Sequence, residues 1–130
     1  MKKHGILNSE ISSVISCMGH YDTIAIADCG LPIPESTKRI DIALSMKHPG
    51  FIETLKTLLN DFEYEYAILA EEIKDNPAFL EEIYQLIPAK KVRFISHEEL
   101  KKETKTCKAI IRTGEIIPYA NIILASGVIF

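Results

Sequence analysis

The chain has 130 residues, 47% of them apolar and 25% charged, with a formal net charge of −3. That length predicts one domain over residues 1–130 and leaves no room for two. The mild acidity and the lack of a basic stripe argue against a nucleic-acid partner, no apolar run is long enough to span a membrane as a helix, and Cys17, Cys29 and Cys107, an odd number at spacings no zinc module uses, predict reduced thiols in a cytoplasmic compartment.

In chain order, Met1-Lys2-Lys3 could open a signal peptide, but His4, Asn8 and Glu10 interrupt any apolar region behind it. Asn8 or Ser9 is placed to cap a first helix to about Met18, with Ile11, Val14, Ile15 and Met18 on one face. Gly19 is expected to end it in a backbone shape other residues resist. Thr23 to Ala27 reads as a short buried strand, and Asp28 leads from it into a Gly-Leu-Pro turn. A strand from Arg39 to Leu44 follows, with Asp41 unexpected on it. Pro49 suits the start of a helix with a Phe51, Leu55, Leu58, Leu59, Phe62 stripe. Tyr64 to Ala70 is the next strand; Asp75 or Asn76 caps a helix opened by Pro77. Val92 to Ile95 is a strand, and Ser96 with Glu99 forms a capping box on a short helix. Ala109 to Arg112 and Ala120 to Ala125 complete about six strands. The alternation predicts an α/β fold, a layered α/β/α sandwich around a mixed, partly parallel sheet. The apolar ending Ile122 to Phe130 is expected to be a core strand or to be buried against another subunit.

Polar residues gather at the predicted strand ends, where open α/β folds place their chemistry. His20 and Asp28 flank the first strand and could line one pocket from its two ends. The plainer alternative is that Asp28 bonds its own turn and His20 simply ends a helix. His97, in the first turn of its helix, should be kept a neutral hydrogen-bonding partner by the positive helix end, with Lys101 one turn on and facing the same way. Tyr119 and Asn121, beside Pro118 and Ala120, could grip hydroxyl groups, or could close a tight turn. Arg112 and Glu115 are expected to pair across a turn. No glycine-rich phosphate loop, Walker pattern or serine-nucleophile elbow occurs, and His4, His20, His48 and His97 form no metal-ligand spacing. Together these residues suggest proton transfer on a small polar ligand, without redox or phosphoryl chemistry, metal or cofactor.

Several stretches make the chain resemble the ribose pyranase and fucose mutarotase family. They are HGILN (4–8), GHYD (19–22), ADCGLPIP (27–34), RID (39–41), Ser96-His97 with Lys101, RTGE (112–115), PYAN (118–121) and Gly127-Val128. They cover nearly the whole chain, and GLPIP (30–34) favours the ribose branch over the fucose one. The resemblance implies a cytoplasmic isomerase interconverting the pyranose and furanose rings of D-ribose without metal or organic cofactor. It implies His20 as the catalytic residue, with Asp28, His97, Tyr119, Ala120 and Asn121 holding the sugar and Lys101 near it. It further implies a homo-oligomeric ring, a pentamer or decamer, with pockets near subunit contacts. Ring opening needs the anomeric proton removed and the ring oxygen protonated, and histidine titrates near neutrality, which suits the second task. Asp28 would then either orient His20 or accept a sugar hydroxyl. The competing readings are a sugar-binding or regulatory module without turnover, a mutarotase for another sugar such as fucose, and an assembly scaffold that binds no ribose.

Overall fold

The computed structural model describes residues 1–130. Its helices are α1 (Ser9–Cys17), α2 (Phe51–Leu59), α3 (Pro77–Tyr84) and α4 (His97–Glu103). Its strands are β1 (Thr23–Ala27), β2 (Lys38–Asp41), β3 (Tyr64–Ala70), β4 (Val92–Ile95), β5 (Ala109–Arg112) and β6 (Ile122–Ser126). The helix starts follow local chemistry. Asn8 accepts from the Ile11 N–H at 2.9 Å and Asn76 from the Phe79 N–H at 3.2 Å. Ser96 and Glu99 cap α4 reciprocally, as their spacing predicts. Gly19 is not the stop signal expected of it. α1 ends where Met18 turns to extended backbone, and Gly5 is the one glycine at positive φ.

The six strands form one sheet in the order β2-β5-β1-β6-β3-β4. β1, β2 and β5 run parallel, as do β3 and β4, and β6 lies antiparallel between β1 and β3. Five strands therefore point one way. Their carboxyl ends and the start of β6 share one edge of the sheet, which we call the carboxyl edge. Their starts and the end of β6 share the other, the amino edge.

Alternation along the strands divides the core in two. Ile24, Ile26, Ile122 and Leu124 face a large cluster built with Ile11 of α1, Leu55 and Leu58 of α2, and Phe79 and Ile83 of α3. Ala25, Ala27, Ala70, Ile110 and Ile123 face a smaller cluster closed by Leu31 and by Leu100 of α4. Three helices on one face and one on the other make the α/β/α sandwich. The apolar chain end divides as well. β6 is buried throughout as a central strand, whereas Ile129 and Phe130 are almost wholly exposed.

Candidate active site

At the carboxyl edge, Asp28 is the first residue past β1, and its neighbours hold it from both sides. On the β6 side the pairing with Asn121 is reciprocal. The Asp28 N–H donates to the Asn121 amide oxygen at 2.9 Å, and the Asn121 amide nitrogen donates to the Asp28 carboxylate at 2.8 Å. Asn121 is 1% exposed, so this pair is the buried anchor of the edge. On the β5 side the Thr113 hydroxyl donates to the Ala27 carbonyl at 2.7 Å, and the Cys29 N–H donates to the Glu115 carbonyl at 2.9 Å. The other Asp28 oxygen accepts from the Gly30 N–H at 2.8 Å. The turn bond that the sequence offered as the plainer reading is therefore present, together with the pairing to Asn121.

One turn of chain before Asn121, Tyr119 adopts φ +63°, a left-handed conformation that side chains resist. That twist buries Ala120 and sends the Tyr119 ring to the His97 ring, edge on, with centroids 5.1 Å apart. The His97 N–H donates to the Glu72 carboxylate at 3.0 and 3.2 Å, which places an anion at the positive end of α4. Glu72 was not singled out from the sequence. It follows β3 and reaches the neighbouring strand's end, a juxtaposition that only the sheet order creates. The Nδ1 atom of His97 is buried and has no hydrogen-bond partner. A buried polar atom left unpaired is costly, so its presence on a polar edge points to a ligand group that completes it. Asp28, Asn121, Ala120, Tyr119 and His97 thus form one continuous band. Lys101 pairs with Glu98 on the same helix as His97.

His20 is elsewhere. It precedes β1 and lies at the amino edge, where its Nε2 meets the Glu65 carboxylate at 2.9 Å and its ring stacks on Tyr21 at 4.0 Å. The Gly19 N–H donates to the Asp22 carboxylate at 2.9 Å and closes the turn that presents His20. That bond, with Lys108 3.3 Å away, holds the Asp22 carboxyl below its ordinary range. Six residue steps separate Asp22 from Asp28, which at about 3.3 Å per residue is roughly 20 Å. The expectation that one chain brings His20 and Asp28 into one pocket therefore fails, because the strand between them is extended. Within a chain, Asp28 cannot orient His20.

Arg112 and Glu115 also differ from expectation. Arg112 pairs with Asp41 on the adjacent β2, at 3.0 and 3.2 Å, and donates to the Cys29 carbonyl at 3.1 Å. Glu115 is buried and takes no cation. Its carboxylate accepts from the N–H groups of Phe51, Ile116 and Ile117 at 2.9–3.1 Å, so it caps α2, whose own N-cap is Gly50. No group of three or more His, Cys, Asp or Glu side chains is gathered in a way that could hold a metal ion. None of the five principal cavities includes Asp28, His97 or Asn121; one of about 330 Å³ at the amino edge takes in His20 with Gly127, Val128 and Phe130.

Comparison with known proteins gives consistent results. Residues 1–129 match the RbsD / FucU transport protein family. A D-ribose pyranase from Clostridium perfringens is 59% identical over the full length of both chains, and one from Bacillus cytotoxicus is 51% identical over the same span. The structure of Bacillus subtilis RbsD complexed with D-ribose superposes with a TM-score of 0.96 at 44% identity, covering all of both chains. A fucose mutarotase from Streptococcus pneumoniae in complex with L-fucose superposes at 0.86 with 25% identity, covering 99% of this chain and all of that one. With the family model matching residues 1–129 and relatives more than half identical over the full length, the chain belongs to the RbsD / FucU family.

Proposed function

We propose that the chain is a D-ribose pyranase, a cofactor-independent isomerase that opens the ring of D-ribose and recloses it between pyranose and furanose forms. Full-length identity of 51–59% to proteins of that name supports the reading. The structural observation that carries it is the unpartnered His97 Nδ1 beside the Asp28–Asn121 pair. This band offers a carboxylate, an imidazole nitrogen and a tyrosine hydroxyl, the acceptors and donors that several sugar hydroxyls require. Asp28, His97, Tyr119, Ala120 and Asn121 hold the sugar in this reading. Lys101 approaches once its pair with Glu98 gives way.

His20 carries the proton. It protonates the ring oxygen as the bond from that oxygen to the anomeric carbon breaks. The anomeric hydroxyl gives its proton to a solvent water as its oxygen becomes the aldehyde carbonyl. Reclosure reverses both transfers: a different sugar hydroxyl adds to the carbonyl and gives its proton back to His20, and solvent water reprotonates the carbonyl oxygen. The roughly 20 Å between the two edges of one chain is the reason for placing the site between copies. One copy supplies the carboxyl-edge band and a second supplies His20, in a homo-oligomeric ring such as a pentamer or a stacked decamer. Exposed Tyr21, Ile129 and Phe130 at the amino edge suit such a contact. Residues 1–130 act as one domain, and the reaction is a cytoplasmic one on free sugar, with neither nucleic acid nor membrane as partner.

The test is magnetisation transfer between the pyranose and furanose signals of D-ribose. Added protein is expected to speed the exchange, and more so for ribose than for fucose. Binding of ribose without faster exchange would instead mean a sugar-binding module.

A further inference from the structure

The amino edge carries a second carboxylate that none of the readings above uses. β3 and β6 are out of step at one point: Tyr64 pairs with Ser126 and Tyr66 with Ala125, so two residues of β3 advance against one of β6. Glu65 is the extra residue. A bulge of this kind bends the strand and re-aims the side chain it carries. Here the re-aimed carboxylate meets His20 Nε2 at 2.9 Å. The opposite constraint comes from Tyr21, which sits at φ +66° and stacks on the imidazole at 4.0 Å with the planes 19° apart. Tyr21 is in turn backed by Tyr66, 6.4 Å away, with the Arg93 guanidinium 3.5 Å over the Tyr66 ring. Two local departures from regular backbone thus converge on one imidazole. Strained backbone persists where the surroundings enforce it, and it gathers at working sites.

We propose that Glu65 is a positioning residue for His20, fixing which ring nitrogen moves the proton. This rests on the role given to His20 above. A carboxylate accepts and never donates, so it keeps a hydrogen on Nε2 in both protonation states of the ring. The proton that travels is then the one on Nδ1. Nδ1 gives it to the sugar's ring oxygen and takes one back from a sugar hydroxyl on reclosure, while Nε2–H stays on Glu65. Without that partner, the neutral ring would divide between its two tautomers and turn freely about its side-chain bonds. Part of the population would then present no proton or no lone pair to the sugar. Glu65 itself touches no reacting atom. Its side chain is 38% exposed, so its replacement leaves no buried gap.

The test compares Glu65→Leu, Glu65→Gln and His20→Ala in the assembled protein, reading saturated ring-exchange rate, ribose affinity and the His20 tautomer. Glu65→Leu is expected to lower the exchange rate by about 10-fold, part of the roughly 10²–10⁴ that a positioned acid–base group supplies. Ribose affinity should stay within a few-fold, because His20 acts on the transition state. Glu65→Gln, whose amide oxygen still accepts from Nε2–H, should fall between wild type and Leu. Imidazole ¹⁵N shifts should report the Nε2–H tautomer in wild type and a mixture in Glu65→Leu. A wild-type rate and unchanged tautomer in Glu65→Leu, with His20→Ala inactive, would overturn the role of Glu65 alone. A wild-type rate in His20→Ala would overturn the role of His20, and that of Glu65 with it.

Discussion

Asp28 and Asn121 show how one residue pair makes a site out of a strand end. Asn121 uses its amide oxygen and one amide hydrogen to fix both the backbone and the carboxylate of Asp28. Asn121→Ala removes both bonds and leaves the Asp28 N–H without its partner, a loss of about 1–3 kcal/mol in stability. Urea unfolding should show that loss, and titration with ribose should show an affinity at least about 10-fold weaker, since the carboxylate loses its fixed position. His20 is the opposite case. Its replacement by Ala should slow ring exchange by about 10²-fold or more while ribose binds within a few-fold of wild type, because an acid–base contact matters mainly in the transition state. Equal losses in binding and exchange would make His20 a binding residue instead.

At the scale of elements, the turn after β5 links the site to the rest of the fold. A Cβ on Gly114 would run into the Ser45 carbonyl and the His48 backbone, so no other residue fits there. Glu115 beside it satisfies three N–H groups, one of them at the start of α2. Glu115→Ala should therefore destabilise the fold by at least about 1–3 kcal/mol, the penalty for one unpaired buried group, read as a lower urea midpoint. Cys107, at the foot of β5, gives a pH prediction. Burial pushes its thiol from 9.0 up to about 11. The unfolded chain then loses its proton first as pH rises, so the buried thiol's contribution to stability, on the order of 2–3 kcal/mol, falls from about pH 9 and is gone above about 11. Cys17 and Cys29 should react with a thiol reagent at neutral pH while Cys107 waits for unfolding. The elements themselves were legible in the sequence, because caps such as Asn76 and Ser96–Glu99, and alternation such as Thr23 to Ala27, are decided within a few residues. Their partners were not. Glu115 caps a helix 64 positions away, Arg112 pairs with Asp41 across 71, and Glu72 reaches His97 across 25. Such contacts depend on strand order, which periodicity does not report.

At the scale of the molecule, the extended β1 holds His20 and Asp28 apart at opposite edges. The motifs named both residues, and the strand predicted between them, Thr23 to Ala27, already carries the separation, since an extended strand of that length holds its two ends too far apart for one pocket. The proposed site shared between copies would resolve the separation and would cover the apolar side chains left bare at the amino edge. Deleting Ile129 and Phe130 should then lower the oligomer mass in analytical ultracentrifugation and the exchange rate together. Exhaustive chelation should leave exchange unchanged; activity lost to EDTA and restored by zinc or manganese would contradict the cofactor-independent chemistry. The most direct measurement uses two defective chains. His20→Ala and Asp28→Ala are each expected to be nearly inactive alone, since each spoils every site. Co-refolded in equal amounts, they form about a quarter of their contacts between an intact His20 edge and an intact Asp28 edge if copies mix at random. Ribose ring exchange in the mixture should recover to about that fraction of wild type, while each chain refolded alone stays inactive. Mixed oligomers seen by mass spectrometry without any recovered exchange would contradict a site built from two copies.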